Sequence, residues 1–230
     1  MCGRFAQTRS VEELESRLEA TADPAEAAQN ARVHYNAAPG VPHPVARVEE
    51  DGARHLRWLS WGLVLPPRTP GERPLRRINA RSETALTAPS WRDAMRWHRC
   101  LVPCDGFYEW RRVGKQKQPY FVRLPGDGVS AMGGLYMPAS PQPDAPMAFG
   151  VLTVDATGWL DDIHDRMPLF VPPAAFADWL DPATSRDRVQ ALLAARPDGP
   201  LVVTPVSERV NSVANDDPAC LLPPAQSSLF

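Results

Sequence analysis

The chain begins MCGRFAQ, so removal of Met1 leaves Cys2 carrying an α-amine and a β-thiol on adjacent carbons. An α-amine titrates near about 7.7 to 8.0 and a thiol near about 8.5, which gives both groups usable nucleophilic fractions at neutral pH. An aldehyde is the partner that consumes both. The amine condenses to a Schiff base, the thiol adds to the imine carbon, and a five-membered thiazolidine closes; an internal cysteine cannot do this. Two other uses stay open for the same residue: an N-terminal nucleophile that attacks a carbonyl with its own amine as base, giving amide hydrolysis, or a cysteine without chemistry.

Four polar segments could supply the surrounding groups: YNAAPG (Tyr35 to Gly40), INARSET (Ile78 to Thr84), DGFYEW (Asp105 to Trp110) and DIHDRMP (Asp162 to Pro168). Glu109 stands among Phe107, Tyr108 and Trp110, surroundings that raise a carboxyl pKa and suit a general acid or base. It also fits the outward position of an alternating strand. His164 lies in an acidic run with Asp161, Asp162 and Asp165. Their charge would favour the imidazolium and poise it for proton transfer, although a histidine in a loop can be without function. Asn79 and Arg81 alternate with Ile78, Ala80 and Ser82, so on a strand they share a face and could grip a phosphate or sugar together.

Those residues need elements to hold them. The 230 residues, 43% hydrophobic, suffice for one large domain, taken here as 1–230. Ser10 to Ala20 predicts a helix with a Ser10/Glu13 capping box and a Val11, Leu14, Leu18 stripe. Helices are also predicted over Ser90 to His98, Pro172 to Leu180 and Ser185 to Ala195. Strand-like runs cover His55 to Leu65, Arg99 to Arg111, Pro119 to Leu124, Val129 to Met137, Met147 to Asp155 and Leu201 to Val206. The segments between them are mostly too short for βαβ crossovers. The fold class is therefore α+β, a mixed, mostly antiparallel sheet or open barrel with peripheral helices. PASPQPDAP, from Pro138 to Pro146, reads as a surface loop.

The net charge of −2 hides a segregated distribution. From Arg57 to Arg112 eleven arginines face five acids, so the middle of the chain is basic and the remainder acidic. No apolar run approaches the roughly 18 residues of a membrane span, and no basic-then-apolar leader opens the chain, so a cytoplasmic protein with no membrane partner is expected. Four cysteines (2, 100, 104, 220) are too few for a disulfide framework. His98, Cys100 and Cys104 straddle a strand-like LVP, which points to buried thiols and no metal. No glycine-rich phosphate loop and no cofactor motif occur, so no cofactor is expected.

MCGRF, YNAAP, the WGL of Trp61 to Leu63, NARSET, RCLVPCDGFYEW, IHDRMP and PVSERVNSVAN occur in this order from Met1 to Asn215. Together they resemble the SRAP family, named for SOS-response-associated peptidases. The resemblance implies a protein that recognises abasic sites in single-stranded DNA and crosslinks covalently to the ring-opened deoxyribose aldehyde through the N-terminal cysteine. It implies crosslinking or lyase-type activity, with thiol peptidase activity and non-covalent single-strand binding as alternatives. It assigns Cys2 as the crosslinking residue, Glu109 as the acid/base beside it, His164 to Schiff-base chemistry and reversal, and Asn79 and Arg81 to the lesion sugar and neighbouring phosphate. Asn36 is expected to line the pocket, Trp61 belongs to a DNA-contacting loop, and Arg4 and Arg166 are expected on backbone phosphates. A monomer acting at the nucleoid follows. Relatives of the form WGLxPxW carry a second tryptophan that wedges against bases at a strand-duplex junction; here WGLVLPPRTP has none. Stacking of that kind is worth about 1 to 3 kcal/mol per base. Ser212 and Ala214 stand where some relatives have asparagine and lysine, and Cys104 where alanine is common.

Overall fold

The computed structural model describes residues 2–65, 69, 74–114, 116–126, 129–138, 145–197 and 199–225. Its centre is a ring of five strands. Arg99–Cys104 lies between Pro42–Val48 and Ser130–Pro138, and the outer neighbours Arg54–Trp61 and Met147–Asp155 continue the sheet on either side, all antiparallel. A parallel pairing, Ala148 with Ser60 and Phe149 with Trp61, then joins the two outer strands, so the sheet closes on itself. All six residues of RCLVPC are buried. Such a run, apolar without alternation, belongs to a strand covered on both faces.

A second, five-stranded antiparallel sheet runs Val202–Pro205, Gln116–Arg123, Gly106–Val113, Phe5–Gln7, His34–Ala37. The sequence predicts one run over Arg99 to Arg111; the chain instead changes sheets at Asp105. The Asp105 carboxylate accepts hydrogen bonds from Thr8 N–H (2.7 Å), the Thr8 hydroxyl (2.8 Å) and Arg9 Nε (2.9 Å). The next residue must be glycine, because a Cβ on Gly106 would stand 2.5 Å from the Val122 carbonyl oxygen. His55 to Leu65 is likewise split, into Arg54–Trp61 and Leu63–Leu65, at Gly62, whose φ of 129° suits glycine.

Trp61 belongs to the core and not to a DNA-contacting surface. It is fully buried, stacks on Phe149 at 6.1 Å, meets Phe5 at 5.1 Å and donates Nε1–H to the Ile78 carbonyl at 3.0 Å. A flat apolar ring with one polar atom satisfies that position, where the two sheets and the Asn79–Arg81 strand converge. The WGLVLPPRTP loop beyond residue 65 lies mostly outside the described residues, as do residues 139–144 of the predicted surface loop.

The helices follow their caps. Ser10 Oγ accepts from Glu13 N–H while Glu13 Oε2 accepts from Ser10 N–H, and Val11–Leu18 buries Leu14 and Leu18. Arg92–Trp97 and Arg186–Ala194 fall inside the predicted spans, and Pro172 to Leu180 resolves into a 3₁₀ turn followed by Phe176–Leu180. Pro24–Asn30 was not legible from periodicity because it buries no residue; its signal is the Asp23 cap with proline at the first turn. His34–Ala37 and Pro42–Val48 were also missed, the latter because two prolines demote PHPVARV as a strand. Among the described residues no helix is long and apolar enough to cross a membrane.

Candidate active site

The Cys2 site forms where Gly106–Val113 pairs with Phe5–Gln7, Phe5 opposite Phe107. Cys2 is fully buried, and its Sγ lies 3.9 Å from the Arg4 carbonyl. Burial drives the thiol far above its ordinary range, and the negative charge of Glu109 raises it further. Burial therefore works against the near-neutral thiolate fraction expected from the sequence. Asn79 Nδ2 donates to the Cys2 carbonyl at 2.8 Å, which fixes the residue from the facing strand, while Asn79 Oδ1 is buried without a hydrogen-bond partner among the described residues.

Glu109 is 4% exposed, and burial raises its carboxyl from 4.5 to about 7. A carboxyl held there has both protonation states accessible at neutral pH. Glu109 opens onto a cleft of about 420 Å³ shared with Trp110, Lys117, His164 and Asn211. His164 departs from the sequence expectation. Burial lowers its pKa, and Nδ1 lies 2.9 Å from both the Arg166 N–H and Asp165 Oδ1. Burial thus favours the neutral ring over the imidazolium, and Nδ1 is placed to accept from the Arg166 N–H.

Asn36 does not face the cleft. It is 2% exposed, and its amide nitrogen donates to the carbonyls of Val210 (3.2 Å), Ser212 (3.0 Å) and Asn215 (2.7 Å). Its oxygen accepts from Arg4 Nη1 at 2.7 Å, and the same Nη1 donates to the Val210 carbonyl at 3.0 Å. One asparagine thus ties the closing PVSERVNSVAN segment to the N-terminal strand. That segment in turn places Asn211, whose Oδ1 accepts from Trp110 Nε1 at 2.7 Å at the rim of the cleft. The Arg4 guanidinium lies 6.0 Å from the Trp110 ring centroid.

Arg81 is exposed and makes no hydrogen bond or ion pair through its side chain among the described residues, while Ala80 between it and Asn79 is buried, as alternation requires. Arg166 was expected on a phosphate; the structure commits it elsewhere. Its guanidinium grips Glu83 bidentately at 2.8 and 2.9 Å, meets Asp155 and donates to the Thr153 carbonyl at 2.6 Å. Two carboxylates already neutralise it, so it braces the Arg166–Pro168 strand against the helix that follows Asn79–Arg81.

Trp110, Lys117 and Asn211 are cleft residues that the sequence reading passed over as site residues. Lys117 had a signal: the hairpin Gly106–Val113 with Gln116–Arg123 pairs it with Arg112, on the same face as Trp110. Asn211 had none, since its placement depends on the Asn36 bracket. Among the described residues no group of three metal-ligating side chains converges, and Cys100, Cys104 and Cys220 are buried free thiols.

A family model described as SOS response associated peptidase (SRAP) matches residues 1–213. The chain is 31% identical to the abasic site processing protein YoaM of Bacillus subtilis, over 94% of this chain and 95% of that protein. It is 30% identical to the abasic site processing protein YedK of Escherichia coli, over 97% and 100%. Among solved structures, a phage-related protein of Bordetella bronchiseptica aligns with a TM-score of 0.69 at 31% identity, covering 90% of this chain and 95% of that one. A Bacteroides thetaiotaomicron protein shares the fold with a TM-score of 0.81 at 21% identity, over 96% and 99%.

Proposed function

The chain belongs to the SRAP family, and on that premise we propose that it captures abasic sites in single-stranded DNA by closing a thiazolidine on Cys2 once Met1 has been removed. The Cys2 amine adds to the ring-opened deoxyribose aldehyde, and the carbinolamine loses water to give an imine. The thiol then adds across the C=N bond: sulfur bonds to carbon, the sulfhydryl proton leaves and nitrogen gains one, so the net change is loss of one water. Glu109, poised at about 7, serves both halves. Protonated, it assists departure of the hydroxyl; ionised, it takes the thiol proton. Neutral His164 accepts a proton in the same cleft, and Asn79 holds Cys2 in place. Arg4, Arg81 and Lys117 offer charge to the strand, an attraction that weakens with salt. An abasic site has no base to extrude, so it enters at low unstacking cost. The protein acts as a monomer on DNA at the nucleoid.

The observation that carries this reading is the placement of Cys2, fully buried, held through its carbonyl by Asn79 at 2.8 Å and close enough to Glu109 to feel its charge. A thiol peptidase must take the proton from sulfur in its first step, which burial disfavours. A thiazolidine needs the amine first, and the thiol only after an imine stands next to it.

Incubation with an abasic oligonucleotide, followed by a denaturing gel and intact mass, tests it. The wild type gains one oligonucleotide less one water on a chain lacking Met1 and stops at one adduct per protein. Cys2→Ser keeps an amine and so retains strand scission through the Schiff base, but loses the heat-stable adduct. An unchanged adduct from Cys2→Ser would sink the thiazolidine, and turnover of peptides would favour the peptidase.

A further inference from the structure

We propose that a second cavity, which shares no lining residue with the Glu109 cleft, seats a nucleotide of the single strand flanking the lesion; the proposal rests on the function above. The cavity, about 600 Å³, opens where the helix Arg92–Trp97 meets Pro182 to Thr184 and the start of Arg186–Ala194. Arg92, Arg96, Arg99 and Arg186 line it together with Trp97, and none of its lining residues carries a carboxylate. The apolar floor includes Met95 and Val189.

Its positive charge is only partly offset, by Asp93 next to Arg92 and by Asp181, whose charge reaches Arg99. Arg99 is 4% exposed, and its guanidinium donates only to backbone carbonyls, those of Met95, Arg96, Trp179 and Asp181, at the C-terminal ends of two helices. Those carbonyl ends carry partial negative charge that the buried arginine absorbs, so they do not offset the remaining guanidinium groups. Arg96 and Arg186 make no ion pair among the described residues, and Arg92 meets only the exposed Asp93 at 3.5 Å. The Asp181 carboxylate, beside the cavity, accepts from Ala183 N–H.

Trp97 is 52% exposed, unusual for a tryptophan, and the Arg96 guanidinium lies 4.6 Å from its ring centroid. An exposed indole with a guanidinium alongside takes a base on the ring and the attached phosphate on the cation. The cavity also continues the proposed DNA path. The short helix Ser82–Ala85 leads from the exposed Arg81 to Leu86 on the cavity wall. An acidic peptide would use the charge but not the half-exposed indole, which is why a nucleic acid strand fits better.

The test compares abasic oligonucleotides with about two and about fifteen nucleotides on each side of the lesion, since stacking one base changes affinity by roughly tenfold. Wild type should bind the long strand about tenfold more tightly than the short one. Trp97→Ala and Arg96→Gln should remove most of that advantage, Arg96→Gln should flatten the salt dependence by about one phosphate contact, and adduct yield on the short strand should not change. Melting temperatures equal to wild type establish that the variants fold, and Arg186→Gln, on an exposed side chain, gives an independent arm. A flank advantage that survives in the variants, or an equal loss on both strands, overturns the proposal. Competition by thymidine monophosphate with no flank dependence overturns the strand as occupant and leaves a free-nucleotide pocket. If no adduct forms with either strand in the wild type, the Cys2 chemistry fails, while flank dependence of non-covalent binding by Cys2→Ser still decides the cavity.

Discussion

Glu109 and His43 are both buried ionisable groups, one beside Cys2 and the other in the aromatic core. His43 is fully buried, packs against Phe5 at 5.1 Å and His34 at 4.7 Å, and bonds the Ala38 carbonyl through Nε2 at 3.1 Å. Burial lowers it from 6.5 to about 4, just as burial raises Glu109 from 4.5 to about 7. The same loss of hydration pushes each toward neutrality. What separates them is access: Glu109 opens onto the cleft, whereas His43 is sealed among rings, so the first shift can serve chemistry and the second only shapes stability.

The sharpest way to break this comparison is Glu109→Gln. Loss of an acid/base group costs about 10²- to 10⁴-fold in rate, so adduct formation should slow by that order while Asn79 and Cys2 stay in place, as timed by quenched gel assays. An unchanged rate would make Glu109 as silent as His43.

The pH dependence of stability comes next in size. The raised Glu109 keeps its proton in the native state where the unfolded chain has lost it, so its contribution falls as pH climbs from about 4.5 to about 7. The lowered His43 does the reverse: its contribution is complete above about 6.5 and is lost as pH falls toward about 4. Each is worth up to about 3 kcal/mol by the pKa difference. Over the shared window the two slopes oppose one another, so wild-type stability in urea should vary little between about pH 4.5 and 6.5. Glu109→Gln should expose the His43 slope, gaining stability with rising pH, and should be the more stable protein at pH 8.

A smaller effect is expected from Asn36→Ala, which leaves three carbonyls and Arg4 Nη1 to find other partners. About 2 to 3 kcal/mol should be lost in thermal or urea unfolding. Because Asn36 acts through the closing segment, adduct formation should fall less than for Glu109→Gln. A loss of rate without loss of stability would place Asn36 in the cleft after all.

Much of this was legible in the residues. The Ser10/Glu13 capping box and the alternation around Ala80 are local patterns, and each appears as the sequence implied, because caps and side-chain periodicity depend on residues a few positions apart. Trp61 and Arg166 were misplaced for the opposite reason. A tryptophan beside a glycine and an arginine in a polar loop look exposed until Phe149, Glu83 and Asp155, far along the chain, are brought against them. His164 was assigned the wrong direction because three neighbouring acids dominate in sequence, whereas burial dominates in space.

By itself the sequence determined which chemistry was available: an N-terminal thiol that can share a carbon framework with an amine, a carboxyl set among aromatics and a basic central segment. Only the tertiary structure decided that the thiol is buried beside Glu109, that Asn36 bolts the closing segment to the N-terminal strand, and that four arginines from three elements share a cavity with Trp97. Desolvation and long-range pairing depend on what packs against a residue, and no local pattern carries that information.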